Sequence, residues 1–133
     1  MGAVVLDTHA AIWYLLDQQS LSPDANYVIE EAVNAGDPLY LSAVSLVEVI
    51  YLVEKNRLSS RAHERMIEAL HLSNAALVGV PVTIDICETL VQIRRSDVPD
   101  MPDRIIAATA LNLDLPLITR DRKIRASQVR SIW

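Results

Sequence analysis

Apolar positions along the chain change their period several times. Residues 2–7, GAVVLD, form a short unbroken apolar run ending in an acid, the pattern of a strand buried on both faces. THAAIWYLL (8–16) follows as a helix. SPDANYVIEEAVNAG (22–36) predicts a second helix, with Ser22 as N-cap, Pro23 at the first helical position and Gly36 as the stop. PLYLS (38–42) reads as a second strand. SLVEVIYLVEKNRL (45–58) and SSRAHERMIEALHL (59–72) read as helices, the latter amphipathic. AALVGVP (75–81) predicts a third strand and TIDICETLVQIRRS (83–96) a further helix. Pro102 opens another helix, LPLITRD (115–121) is a fourth strand, and VRSIW (129–133) is a candidate fifth. Strands alternating with helices imply βαβ units, hence a three-layer α/β/α fold around a mainly parallel sheet of four to five strands. Right-handed crossovers place every strand-to-helix junction on one edge of that sheet, and ligands bind beyond the carboxyl ends of the strands.

Composition narrows the class. The 133 residues suit one ordinary domain spanning 1–133, half of them are apolar, and only three are glycine. No repeat, linker or low-complexity tract divides them. The amino-terminal stretch MGAVVLDTHAAIWYLL lacks a basic region and carries Asp7 and His9 inside its apolar run, which argues against a signal peptide. No apolar run reaches the roughly 18 residues of a membrane span. A soluble, cytoplasmic protein with no membrane partner is expected. The single cysteine, Cys87, falls at helical spacing and reads as a buried core thiol.

The net charge of −5 argues at first against a nucleic-acid partner, but its distribution is lopsided. Residues 1–93 hold 12 acids and 4 bases, whereas residues 94–133 hold 5 acids and 8 bases. The basic stretch is either an ordinary solvated surface or a phosphate-binding rim beside an acidic pocket.

Four acids fall where the topology puts chemistry. Asp7 ends the first strand, Asp121 follows the fourth, Glu48 lies in the first turn of the helix after the second strand, and Asp103 opens the helix that returns to the fourth. Each has a local explanation. Asp7 could N-cap its helix, Ser45 and Glu48 form a capping box, Asp121 suits a turn, and Asp103 suits the positive end of a helix. Together they mean more, because clustered carboxylates repel and must be neutralised by protons or cations. Oxygen-only donors with no cysteine and no histidine pair point to Mg²⁺ or Mn²⁺, which act on phosphoryl oxygens.

The segments VLDTHAAIWYL, LSAVSLVEVIYL and MPDRIIAATALNLDLPLITRD, with the following KI, resemble the PIN domain, specifically the VapC-type toxins of bacterial toxin–antitoxin pairs. The resemblance runs from about Val5 to Ile124. It implies a Mg²⁺- or Mn²⁺-dependent endoribonuclease, a sheet order of 3-2-1-4-5, a homodimer, an RNA substrate and inhibition by a cognate VapB-type antitoxin. It also implies that Asp7, Glu48, Asp103 and Asp121 are the catalytic, metal-binding quartet and that Thr119 is the hydroxyl of a T-x-D motif. In the expected mechanism Asp7, Asp103 and Asp121 ligate the ion directly, and Glu48 acts through water or completes a second site.

Other residues are placed around this quartet. Thr8 either supports Asp7 or simply starts the helix, and His9 reads as a supporting or structural imidazole rather than a base. Trp13 and Tyr14 read as core or interface. Arg104 and Arg120 flank the acids, each either contacting a scissile phosphate or balancing charge in a salt bridge. Asp100 reads as a cap or surface acid. A signalling receiver domain would also gather acids on this edge, but it needs an acid after a central strand and a lysine after the last. Here VGVP and LPLIT supply neither. A dehalogenase-type phosphatase needs an aspartate where His9 stands. A PIN-like domain that only binds RNA or a partner would not need the complete quartet.

Overall fold

The computed structural model describes residues 2–72 and 74–133. In chain order the elements are β1 (Val4–Leu6), α1 (Thr8–Leu16), α2 (Pro23–Ala35), β2 (Leu39–Ser42), α3 (Ala43–Glu54), α4 (Ser60–His71), β3 (Leu77–Val80), α5 (Ile84–Thr89), α6 (Met101–Leu113), β4 (Leu117–Ile118), α7 (Arg122–Arg125) and β5 (Ser131–Ile132). Single 3₁₀ turns occupy Gln18–Ser20 and Leu90–Gln92. The five strands pair in parallel in the order β3-β2-β1-β4-β5. The expected α/β/α architecture and strand order are both present.

The strands' two-residue period sorts the core into two layers. Val4, Leu6 and Ile118 face the cluster that holds Ala11 of α1, Ile29 of α2 and Met66 of α4. Val5 and Leu117 face the opposite cluster, with Ile86 of α5, Ile106 of α6 and Ile124 of α7. α3 contributes Val49 to the first and Val44 to the second. Among the described residues no helix is long and apolar enough to cross a membrane.

Helix boundaries follow their caps. Ser22 accepts from the Ala25 amide at 3.0 Å, and Gly36 closes α2 in the left-handed region at φ 77°. Several elements differ from expectation, and three of the differences bear on the site and its surroundings. α3 starts at Ala43, because Ser42 ends β2 and turns its hydroxyl onto the Val44 amide at 3.2 Å. The helix expected over 83–96 stops at Thr89 and tightens into the 3₁₀ turn. There the Arg104 guanidinium takes the carbonyls of Leu90 and Ile93 at 3.1 and 2.8 Å. Cys87, expected to be a buried core thiol, is exposed. Ile86 and Thr89 form the inward face, leaving Cys87 on the outer one. The third difference is the short helix α7, which lies inside a segment too brief to show periodicity.

Candidate active site and metal centre

The carboxyl ends of β1, β2 and β4 open onto one pocket of about 330 Å³. Asp7, Glu48, Asp103 and Asp121 all line it, together with Thr8 and Asp100. The local and the site readings of these acids turn out to be compatible. Asp7 caps α1 through Oδ1, which accepts from the Ala10 amide at 2.8 Å, while Oδ2 accepts from the Thr119 hydroxyl. Thr119 is fully buried and in turn accepts from the Asp121 amide at 3.0 Å. Asp121 caps α7, its Oδ1 accepting from the amides of Lys123 and Ile124 at 2.8 and 3.1 Å. The T-x-D segment thus couples the end of β4 to the carboxylate that ends β1.

Glu48 differs from expectation. Because α3 begins at Ala43, Glu48 lies in its second turn and no capping box forms with Ser45. Its Oε1 accepts instead from the Thr8 hydroxyl at 2.5 Å. The buried Ser45 hydroxyl lies 2.9 Å from that of Thr8. Thr8 has a single proton to donate, so the relay runs from Ser45 through Thr8 to the carboxylate. Thr8 therefore holds Glu48 rather than Asp7.

Asp103 is the third residue of α6, and its amide donates to Oδ2 of Asp100, the N-cap, at 3.2 Å. The cap reading of Asp100 holds, but the residue also belongs to the site. One carboxylate oxygen from each of Glu48, Asp100 and Asp103 lies within 4.8 Å of the others. D-M-P-D is the legible signal for this, since N-cap and third-position side chains meet across a helix's first turn. All donors in the cluster are hard oxygens, and their number and crowding fit a divalent cation of the Mg²⁺ or Mn²⁺ type. Asp7 and Asp121 line the same pocket outside that trio, both oxygens of Asp7 and Oδ1 of Asp121 being turned toward amide or hydroxyl donors.

Electrostatics follow from the crowding. Burial raises the Asp103 carboxyl to about 7, and the charges of Asp100, Asp121, Glu48 and Asp7 push the same way. Burial also raises Asp7, against the lowering hydrogen bonds from Thr119 and Ala10. It raises Glu48 likewise, opposed by the Thr8 hydrogen bond and reinforced by Asp100.

The two arginines part company. Arg104, one residue past Asp103, points about 100° away around α6 and is committed to the carbonyls of Leu90 and Ile93. Among the described residues it forms no salt bridge, and it does not line the acidic pocket. Arg120 lines the pocket, its guanidinium 4.8 Å above the Trp13 ring. Trp13 is flanked by His9 and Trp133, each with ring centroids 5.6 Å away, and His9, Trp13 and Arg120 form one wall of the pocket.

The PIN domain family model matches residues 4–128. The chain belongs to the PIN domain family. Among curated relatives of this PIN domain, Ribonuclease VapC22 of Mycobacterium tuberculosis is 32% identical over 126 residues, 95% of this chain and 92% of the relative. A toxin–antitoxin complex from Klebsiella pneumoniae superposes with a TM-score of 0.64 at 27% identity, covering 98% of this chain and 96% of that one. VapBC2 of Rickettsia felis, bound to a DNA fragment from its promoter, reaches a TM-score of 0.72 at 16% identity, covering 98% and 97%. The last of these speaks for the PIN fold alone.

Proposed function

We propose that this PIN domain is a divalent-metal-dependent endoribonuclease and the toxin of a VapBC-type toxin–antitoxin pair. One observation carries the reading: five carboxylates from four separated segments line a single pocket at the carboxyl edge of the sheet. The mycobacterial relative's name supports RNA as the substrate. In this reading Asp7, Glu48, Asp103 and Asp121 are the catalytic, metal-holding acids, and Asp100 joins them. Mg²⁺ or Mn²⁺, when bound, would stabilise charge on the phosphoryl group and activate water for hydrolysis of the phosphodiester.

The chain's own groups do the positioning. Ala10 and Thr119 fix both oxygens of Asp7, and Thr8 fixes Glu48, so these carboxylates are oriented before a ligand arrives. In the metal-free chain Asp103 exchanges its proton near neutral pH, and a bound cation would favour its charged form. Arg120, its guanidinium 4.8 Å from the centre of the Trp13 ring at the pocket wall, is the cation placed to meet a substrate phosphate. The working unit is the single domain 1–133, acting in the cytoplasm as a homodimer and restrained by a VapB-type antitoxin.

The purified protein should cut structured RNA in Mg²⁺ or Mn²⁺ and stop in EDTA. Asp103→Asn should lower the rate at least about a hundredfold, or roughly 2.7 kcal/mol of barrier. Cutting that survives EDTA, or a near-full rate in the variant, overturns the reading.

A further inference from the structure

A second cavity, about 730 Å³, lies beyond the acidic one and is more than twice its size. Its walls come from the segment after α5 and from α7 with the turn that follows. Gln128 ties them together by donating to the Gln92 carbonyl at 2.6 Å. Arg94, Arg122 and Lys123 line it, against one acid, Asp97. Arg94 pairs with that acid at 3.2 Å. Arg122 and Lys123 are exposed and, among the described residues, form no salt bridge.

A third cavity of about 270 Å³ joins the two. It shares Asp100, Asp103 and Asp121 with the acidic pocket, and Arg122 and Lys123 with the basic one. The surface is thus one continuous track that changes sign from acidic to basic within a few residues of Asp121. Four of the eight bases after residue 93, Arg94, Arg120, Arg122 and Lys123, line it.

We propose that this track carries the backbone of a single-stranded RNA leading away from the scissile phosphate, with Arg122 and Lys123 as phosphate contacts. The inference rests on the nuclease reading for the position of that phosphate. A groove with unpaired cations and no aromatic lining grips phosphates without reading bases, so it supplies affinity and register rather than sequence choice. An acidic catalytic pocket repels RNA, and adjacent cations offset that repulsion without weakening the carboxylates' hold on a metal.

The test is binding of a fluorescein-labelled ten-nucleotide oligouridylate to the whole chain in EDTA, followed by anisotropy across a salt series. Each phosphate contact to a single strand contributes about 0.7 to the slope of log affinity against log salt. Arg122→Gln with Lys123→Gln should therefore reduce that slope by about 1.4 and weaken binding about tenfold or more at low salt. Both side chains are exposed, so the double variant should melt with the wild type. Arg57→Gln with Arg61→Gln, outside all three cavities, removes the same charge and should change neither quantity. No measurable binding by the wild type, or an unchanged slope in the groove variant, overturns the proposal. So does unchanged RNA affinity accompanied by lost capture of a protein partner, which would make the groove a protein interface. Groove-dependent binding by a chain that cuts no RNA in Mg²⁺ or Mn²⁺ would sink the nuclease reading and leave the groove standing. Normal cutting with an unchanged slope would do the reverse.

Discussion

Two effects compete at Asp103. The positive end of α6 favours its ionised form by about 0.3–1 kcal/mol, as for any acid in a first turn. Burial and four neighbouring carboxylates oppose this and win, raising the group from 3.8 to about 7. The folded chain therefore holds a proton that the unfolded chain releases between these values. Stability from this group is complete below about pH 4, declines as pH rises, and is lost above 7. The shift is nominally worth about 4 kcal/mol at 1.36 per unit, but solvent screens a half-buried carboxyl and leaves about 1–2 kcal/mol. In EDTA, Asp103→Asn should accordingly melt above wild type at pH 8, with an advantage that shrinks toward pH 4. Adding Mg²⁺ or Mn²⁺ at pH 8 should raise the wild-type melting temperature and move the variant much less. Thermal scans across pH, with and without metal, give both readings. A variant that melts below wild type at every pH would show Asp103 to be a structural acid.

At the scale of elements, Asp100 serves α6 and the site at once, and its two roles separate by substitution. Asp100→Asn keeps a good N-cap and removes a charge, so stability in EDTA should hold while metal affinity falls. Asp100→Ala should lose the cap as well, at about 1 kcal/mol, measurable by urea denaturation. Equal stability of the two variants would mean that the Asp103 amide gains nothing from the cap. Asp100 was half legible. Its cap position could be read from D-M-P-D, but its partner Glu48 comes from a different element, and only packing shows that the two converge. The same limit explains the other departures. Ser45 and Glu48 match a capping box locally, yet β2 ends at Ser42, paired there with Val80 of β3, and the Ser42 cap starts α3 earlier. TIDICETLVQIRRS carries a helical period to its end, but a guanidinium from α6 claims its carbonyls. Conversely, α1 and α2 were legible to the residue, because Asp7, Ser22, Pro23 and Gly36 mark their ends by local chemistry.

Over the whole molecule, the site was legible because handedness is not local. Right-handed crossovers bring Asp7 and Asp121, 114 positions apart in the chain, to the same sheet edge whatever the loops do. That edge leaves apolar surface close by. Val47 and Tyr51, one turn apart on α3, are 49% and 58% exposed. Scattered apolar residues need no explanation, but a pair at helical spacing offers an anchor row for an amphipathic partner segment. The proposed antitoxin would lay such a segment there and send an arginine or lysine into the acidic pocket, neutralising carboxylates that a metal would otherwise hold. A small protein from the adjacent reading frame should then copurify with the chain in EDTA. Val47→Asp with Tyr51→Asp should abolish that capture, since two buried charges would face an apolar partner. The complex should also lose the metal-induced rise in melting temperature that the free chain shows, because cation and metal compete for one pocket. A complex that survives the double substitution, and still responds to Mg²⁺ as the free chain does, would place the partner on another face and leave the pocket open to substrate within it.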